Sequence, residues 1–290
     1  MYAILGASGK AGRTTVAALR KAGAPVRAVL RDPSKAEEFA RLGCQIAIAD
    51  INDPLALTDA LKGASTVQVI CPVDIRAPQA RSSMMQSIES LSAALAAVEP
   101  QTVLAISDYG AQHSSGTGIT TIFHALETRL RTLNSNLILL RSAEHMENWA
   151  RLAKAAAANG QLPSFYRPLT KLLPTVSAID VGRIASELLM DGQDIPERVV
   201  HVEGPRRDTP NEVAMAIGSL SGRDVIALPL PETGWTPALL RAGLSEEYAA
   251  LLVELYVAHN SGRIDIESGV GEIRRGTSEL IDVMRRLLHS

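Results

Sequence analysis

Three glycines at three-residue intervals lie near the start of the chain. Gly6, Gly9 and Gly12 follow an apolar run, and an amphipathic segment comes directly after them. Glycine at a strand exit allows a tight turn, and its missing Cβ lets backbone N–H groups approach a bound phosphate. The start of the next helix adds a partial positive charge there. The spacing predicts a dinucleotide-binding loop, with a purely structural turn as the alternative, made of Gly6, Ala7, Ser8, Gly9, Lys10, Ala11 and Gly12.

Basic residues follow the second apolar run and bear on which dinucleotide is bound. Arg31 stands where NADP sites place an arginine for the 2′-phosphate, and NAD sites place a carboxylate there. Lys35 and Arg13 are expected to join it, whereas Asp32 is better explained as a helix cap before Pro33. The alternative for Arg31 is a solvated surface side chain. The pattern favours NADP(H), with NAD(H) as the second option.

Two later strand ends are expected to complete the cofactor site. Asp50 and Ile51 close the third run, where a carboxylate can reach the adenine amino group; a simple capping role for Asp50 is the alternative. Cys71 and Pro72 close the fourth run, at the position that normally lines the nicotinamide, and Val73 follows on the substrate side.

Short apolar runs alternate with amphipathic segments through the first 140 residues. The runs are continuously apolar, as expected of parallel strands covered on both faces. The prediction is an α/β fold with a Rossmann-like, doubly wound parallel sheet. Residues 1–142 are predicted to form the NAD(P)-binding Rossmann domain and 143–290 a smaller, mostly helical lobe that covers the substrate, with segments near 175–205 returning to the sheet.

Composition narrows the possible partners. The net charge is −2 and aromatic residues make up 3%, which argues against a nucleic-acid surface. No apolar stretch is long enough to span a membrane. Cys44 and Cys71 lie in apolar runs without CxxC spacing, so buried thiols and a cytoplasmic location are expected. No residues show metal-ligand spacing, and we expect no metal site.

Several segments together resemble the NmrA-like family of atypical short-chain dehydrogenases/reductases. They are GASGKAGR at 6–13, VRAVLRDPSKA at 26–36, and the stretches at 49–53, 140–148, 242–247 and 260–262. The sequence is similar above all to bacterial NADPH-dependent reductases of quinones, azo dyes and triphenylmethane dyes. The family also contains regulators that bind the dinucleotide without turning it over. The resemblance therefore implies the cofactor more firmly than the activity.

The usual proton-transfer residues of short-chain reductases are incomplete. Tyr109 matches the tyrosine of the Tyr-x-x-x-Lys motif, but the position of the lysine is occupied by His113. Many NmrA-like proteins keep a lysine four residues before a helical glutamate; that glutamate resembles Glu127, and the matching position holds Phe123. Hydride delivery to a conjugated acceptor needs little acid catalysis, so these departures leave a reductase possible.

Tyr109 matches a tyrosine of the dye-reductase pattern and is the candidate catalytic and substrate-binding residue, with loop packing as the alternative. His145, Met146 and Trp149 are predicted to share a face of the helix after the sixth strand, either as pocket wall or as core. The first hypothesis is an NADPH-dependent reductase of a small conjugated acceptor, acting as a monomer or homodimer. The second is a non-catalytic NADP(H) sensor that signals through a regulatory protein partner. An aromatic-lined, open pocket would favour the enzyme, and a plugged one the sensor.

Overall fold

A computed structural model describes residues 1–71 and 73–289 of the chain. The short apolar runs form strands, several of them rich in β-branched residues that fit a pleated, covered surface. The strands are β1 (Tyr2–Leu5), β2 (Val26–Leu30), β3 (Gln45–Ile48), β4 (Thr66–Ile70), β5 (Thr102–Asp108), β6 (Asn136–Ser142), β7 (Glu144–His145), β8 (Gln161–Ser164), β9 (Thr175–Val176), β10 (Glu197–Glu203), β11 (Ile226–Pro229) and β12 (Glu272–Arg275).

Helices occupy the amphipathic segments, and side-chain caps fix where several of them begin. Asp53 accepts hydrogen bonds from two backbone N–H groups, and Thr209 forms a capping box with Glu212. The helices are α1 (Lys10–Lys21), α2 (Ala36–Arg41), α3 (Pro54–Leu61), α4 (Ala80–Val98), α5 (Thr120–Leu130), α6 (Ala150–Asn159), α7 (Ala178–Asp191), α8 (Pro210–Ser221), α9 (Trp235–Arg241), α10 (Glu246–Asn260) and α11 (Leu280–His289).

Eight strands form one sheet in the order β12-β10-β6-β5-β4-β1-β2-β3, and each pair of neighbours is parallel. The chain runs outward from β1 to β3 and then returns to the other side of β1 with β4. Buried residues of α3, α4 and α5 cover one face of this sheet, and those of α1 and α7 cover the other. The predicted doubly wound α/β fold is confirmed.

The second half of the chain contributes both to this sheet and to a separate core. β10 pairs with β6, and β12 extends the sheet beyond β10. The third cluster of buried apolar residues joins α6, α8 and α11. The sequence analysis did not predict β8, β11 or β12, because these strands are short and their residues are largely exposed or half-buried. The division of the chain into domains after residue 142 stays a prediction.

The predicted helix beginning at residue 144 is wrong in its first turns. Glu144 and His145 form β7, which pairs with β9, and a 3₁₀ turn spans Met146–Trp149 before α6 begins. Backbone pairing with β9 holds residues 144 and 145 in an extended conformation that a helix could not adopt. No described helix is both long and apolar enough to cross a lipid bilayer.

Candidate functional site

The carboxyl ends of β1 and β4 lie side by side where the strand order reverses. The connections that leave these two strands lead to opposite sides, which opens a crevice in doubly wound sheets. Gly6 follows β1, and Cys71 follows β4. The glycine loop and the end of β4 therefore flank the position where a ligand is expected.

The glycine loop makes the turn that its sequence predicts. Gly6 has a φ of 66°, in the left-handed region that favours glycine, and the N–H of Gly9 donates to its carbonyl oxygen over 2.9 Å. A Cβ on Gly12 would stand 2.2 Å from that same oxygen. Only glycine at position 12 lets α1 begin this close to β1.

The first turn of α1 is open to an anion. No side chain caps its N-terminus and no acidic residue lies in its first turn, so its first N–H groups are available. A Cβ on Gly9 would meet only the Gly6 carbonyl oxygen within 4 Å, at 3.3 Å, so the space above this residue is free. Of the other predicted loop residues, Ser8 and Lys10 are exposed, and Ala7 and Ala11 are buried. These features fit the pyrophosphate of a dinucleotide.

The charged residues after β2 differ in whether their side chains are already bound by neighbouring groups. The Asp32 carboxylate accepts a hydrogen bond from the Ser34 N–H over 2.9 Å, and this contact holds the pKa of Asp32 below its usual range. Asp32 is therefore used by its own turn, as the capping interpretation expects. Arg31 and Lys35 are exposed beside it. Arg13 instead forms an ion pair with Glu38 and lies 5.8 Å from the ring centre of Phe39.

The predicted residues at the ends of β3 and β4 have local roles as well. The Asp50 carboxylate is exposed and accepts from the N–H of Asn52 over 2.9 Å, which forms a turn. Ile51 is half-buried against the core. Cys71 is buried, and burial raises the pKa of its thiol to about 12, so it stays protonated. Pro72 lies outside the described residues.

A cavity of about 510 Å³ opens at the carboxyl ends of β4, β5 and β6. This volume lies in the range of small-molecule sites. Ile70 belongs to its wall and lies 3.3 Å from the position of a Cβ on Gly6, so the cavity adjoins the glycine loop. Six of the ten aromatic residues of the chain line it: Phe123, Trp149, Phe165, Tyr166, Tyr248 and Tyr256.

The predicted substrate residues fall into two groups. Val73, His145 and Trp149 line the cavity. Met146 does not: its side chain is fully buried in the third core, and its Cε would lie 3.0 Å from a Cβ on Gly204. His145 on β7 and Trp149 at the end of the 3₁₀ turn reach the cavity, whereas Met146 at the start of that turn does not.

Tyr109 is also placed away from the cavity. Its ring is buried on the α1 and α7 face of the sheet, edge-on to His201 with 5.6 Å between ring centres, and its hydroxyl has no hydrogen-bond partner in the described chain. Asp108 ends β5 and lines the cavity, whereas Tyr109 lies in the turn that follows the strand and packs into the other core. The structure therefore does not support a catalytic or substrate-binding role for Tyr109.

The sequence pattern did not indicate the polar residues that come together in the cavity. Glu144 lies on β7, and its Oε2 accepts a hydrogen bond from the hydroxyl of Tyr166. His259, near the end of α10, has its Nε2 3.8 Å from the same oxygen. Asp108 lines the cavity at the end of β5. These residues are far apart in sequence, and the one local signal was that Glu144 adjoins a predicted site residue.

Burial changes the protonation of these groups. It raises the pKa of Glu144 to about 7, and burial together with the charge of Glu144 raises the pKa of Asp108 to about 8. Burial lowers the pKa of His259 to about 3, so this histidine is neutral near pH 7. It also lowers the pKa of His145, whose Nε2 lies 3.3 Å from the Ser142 hydroxyl. The cavity can hold neutral carboxylic acids at neutral pH.

Within residues 1–71 and 73–289, no group of three or more His, Cys, Asp or Glu side chains is arranged to hold a metal ion.

The parallel sheet, the switch point and the glycine loop define a dinucleotide-binding Rossmann protein. The profile of the NAD(P)H-binding family matches residues 6–155, and the chain belongs to this family. The dinucleotide prediction is thereby confirmed.

Relatives match over almost the whole chain. Quinone oxidoreductase 2 of Escherichia coli is 27% identical over 278 residues, which cover 90% of this chain and 89% of that protein. An NAD(P)H azoreductase of Xenophilus azovorans is 27% identical over 263 residues, 88% of this chain and 86% of that protein. The structure of Citrobacter sp. triphenylmethane reductase complexed with NADP(H) superposes with a TM-score of 0.83 at 19% identity, covering 99% of this chain and 100% of the other. The resemblance drawn from the sequence motifs is confirmed.

Proposed function

We propose that this protein is an NADPH-dependent reductase of flat, conjugated acceptors such as quinones or dyes. The observation that carries the proposal is the aromatic-lined cavity beside the glycine loop. Its relatives by sequence, a quinone oxidoreductase and an azoreductase, support the same class of reaction. A cytoplasmic location stays part of this proposal.

Stacked rings make one wall of the cavity suited to a planar molecule. Phe165 and Tyr256 stack with 4.5 Å between ring centres and 11° between ring planes, and Tyr166 meets Tyr256 edge-on at 5.4 Å. Trp235 packs behind Phe165 at 6.0 Å and holds it in place. Aromatic rings prefer offset-stacked or edge-to-face contacts with one another. A conjugated acceptor would gain contact with these rings without having to order them.

The residues of the chain divide the remaining work. Bound NADPH would supply the hydride, and the open amides of α1 with the glycine loop would hold its pyrophosphate. Ile70 and Cys71 form the wall shared by the glycine loop and the cavity, which keeps donor and acceptor close. Apolar side chains make up most of the remaining wall and exclude water from the reacting atoms.

The alternative is a dinucleotide sensor without catalytic activity. That function needs no second pocket beside the cofactor, and a plugged cavity would favour it. A cavity of about 510 Å³ instead leaves room for a small molecule. The structure therefore supports the enzyme better than the sensor.

The test is a steady-state assay of NADPH oxidation with a panel of quinones, azo dyes and cationic triphenylmethane dyes. We expect turnover with at least one of these acceptors and much less with simple ketones. Gly9→Asp is the control variant, because its carboxylate would repel the pyrophosphate. Within 4 Å its Cβ would meet only the Gly6 carbonyl oxygen, at 3.3 Å, so a small shift of that carbonyl would accommodate it. The variant should lose NADPH binding in a fluorescence titration and keep the wild-type unfolding temperature. If none of the acceptors in the panel causes NADPH oxidation, the sensor becomes the better hypothesis.

Cofactor choice is proposed to depend on Arg31. Arg31→Ala should weaken NADPH binding by roughly 1.5–3 kcal/mol, the contribution of a hydrogen bond to a charged group, and leave NADH binding nearly unchanged. Arg13→Ala is the matched comparison, because its guanidinium is already engaged by Glu38 and should matter less. Isothermal titration with both cofactors measures the two effects. Equal losses for NADPH and NADH in Arg31→Ala would make this arginine structural.

A further inference from the structure

In the part of the chain that the structure describes, two carboxyl groups lie in the cavity without an ion pair to an arginine or lysine, although Arg151 and Arg241 also line it. Among the described residues, the only ion-pair contact of Glu144 is with His259, which burial keeps neutral, and Asp108 has none. The side chain of Glu144 is 19% exposed. A carboxylate in such surroundings loses hydration and gains no compensating ion pair, so its neutral form is favoured.

Glu144 is held in a defined orientation. Tyr166 donates its hydroxyl to Oε2, and the amide nitrogen of Asn148 lies 3.5 Å from Oε1. Tyr166 is itself fixed by a tilted contact with Trp149 and an edge-on contact with His259. A carboxyl group fixed on two sides in a cavity can present its proton in one direction.

The titratable and charged groups around Glu144 come from every element that packs against it. They are Asp108 at the end of β5, His145 beside it on β7, Arg151 on α6, Tyr166 after β8, Arg241 on α9, and Tyr248, Tyr256 and His259 on α10. Burial raises the pKa of Tyr248 to about 12 and raises that of Tyr256 further, so these phenols are weaker acids than in water. Neutral His259 keeps one N–H, but that group is too weak an acid to give up its proton near pH 7.

We propose that Glu144 donates the proton that a quinone-type acceptor takes up during reduction in this cavity. The inference rests on the proposed function. The acceptor receives a hydride, which is two electrons and one hydrogen nucleus, from NADPH. One of its oxygens takes the proton of the Glu144 carboxyl group, so an O–H bond breaks on Glu144 and another forms on the product. NADP⁺ and hydroquinone leave, and the Glu144 carboxylate regains a proton from water.

A pair of acceptors separates this proposal from a general role of Glu144. A quinone needs a hydride and a proton, whereas a cationic triphenylmethane dye needs only a hydride, which neutralises its central carbon. Glu144→Gln keeps the size and hydrogen-bonding capacity of the side chain and removes its acidic proton. At pH 7 we expect kcat with the quinone to fall about 100-fold or more relative to kcat with the dye, in the range that acid catalysis contributes.

The pH profile gives a second test. Only the protonated carboxyl group can donate, so kcat for the quinone should be constant below pH about 7 and fall as the pH rises through the pKa of Glu144. Glu144→Gln should lose this descending limb. Glu187→Gln, an exposed carboxylate on α7, is the matched control and should keep the wild-type profile.

A readout without turnover uses infrared spectroscopy of the protein alone. A carbonyl stretch of a protonated carboxyl group that titrates near pH 7 should be present in the wild type and absent from Glu144→Gln, in which the band of Asp108 remains. Asp108→Asn should keep this band. If Asp108→Asn instead causes the selective quinone loss, Asp108 is the donor and the proposal is wrong.

The outcomes are distinguishable from failure of the proposed function. If the wild type oxidises NADPH with neither acceptor, the proposed function fails and the inference falls with it. If the wild type reduces both acceptors but Glu144→Gln slows them by the same factor, or slows neither, the reductase stands and the proton-donor role of Glu144 is refuted.

Discussion

Buried carboxylates occur in two regions of this molecule, with opposite surroundings. Glu127 on α5 and Glu203 at the end of β10 form ion pairs with arginines. Asp108 and Glu144 lie among aromatic rings and a neutral histidine, and among the described residues neither pairs with the two arginines that line the same cavity. Each set lies near the carboxyl ends of the central strands. The same side-chain chemistry is therefore used twice, once with matched charges and once without.

In the paired region, hydrogen bonds satisfy each carboxylate oxygen. Arg141 on β6 donates to Glu127 over 2.9 and 2.7 Å, and the Ser107 hydroxyl adds a bond of 2.6 Å. Burial works to lower the pKa of Arg141, but the hydrogen bonds and charges of Glu127 and Glu267 outweigh it and raise the pKa. These bonds connect α5, β5 and β6 to the segment before β12.

The comparison shows what decides whether a buried acid stabilises the fold or serves chemistry. An acid next to arginine stays ionised and fixes its neighbours, because leaving either partner alone would strand a buried charge. An acid in an apolar cavity without an ion pair to a cation keeps its proton to higher pH and can exchange it. The predictions below test this contrast, from the largest expected effect to the smallest.

Removing the cation from the paired region should cause the largest loss of stability. Arg141→Met keeps the length of the stem but leaves Glu127, which is fully buried, without its main partner. We expect the free energy of unfolding to fall by about 3–5 kcal/mol in urea denaturation. Arg129→Ala is the control, because its ion pair with Glu89 is exposed to solvent and should contribute little to stability.

The double variant Glu127→Gln/Arg141→Met sharpens this test. Neutralising both partners removes the stranded charge, so much of the lost stability should return. A double variant no more stable than Arg141→Met would mean that packing, and not charge pairing, explains the loss.

Removing the charge of Glu144 from the cavity should instead increase the free energy of unfolding. Because burial raises the pKa of Glu144 from 4.5 to about 7, the folded protein holds a proton there that the unfolded chain releases. The stability of the wild type should therefore fall as the pH rises from about 4.5 to 7, and that of Glu144→Gln should fall less, because Asp108 still contributes. Since one pKa unit corresponds to about 1.4 kcal/mol, we expect Glu144→Gln to be more stable than the wild type at pH 8 by roughly 1–3 kcal/mol.

Urea denaturation at pH 4.5, 6 and 8 measures this difference, and Glu187→Gln should show none that depends on pH. If Glu144→Gln is no more stable than the wild type at pH 8, other contacts in the cavity stabilise the Glu144 carboxylate.

Tyr109→Phe should have the smallest effect. Its hydroxyl is buried without a hydrogen-bond partner in the described chain, so its removal should change the free energy of unfolding by no more than about 1 kcal/mol. Quinone and dye turnover should stay within about 3-fold of the wild type, far below the loss of an acid–base group. A loss above 10-fold with unchanged stability would restore Tyr109 to the catalytic machinery.

The sequence by itself determined the parts of this protein whose signals are local. Gly6, Gly9 and Gly12 are spaced for one turn between one strand and one helix, and nothing distant is needed to form that turn. Arg31 stands at the end of the strand that its own neighbours define. The continuous apolar runs likewise predicted a covered parallel sheet, because each run reports on its own burial.

The tertiary structure alone decided the rest, because the cavity is made by residues distant in sequence. Tyr109 and Asp108 are adjacent, but Asp108 ends β5 in the cavity wall and Tyr109 lies in the turn that follows, buried in the other core. Met146 left the expected site because pairing of β7 with β9 replaced a helix. Glu144, Tyr166 and His259 meet only after β7, the segment following β8 and α10 have packed together. No local pattern encodes such a meeting, because burial and contact across the fold create both the site and its altered acidity.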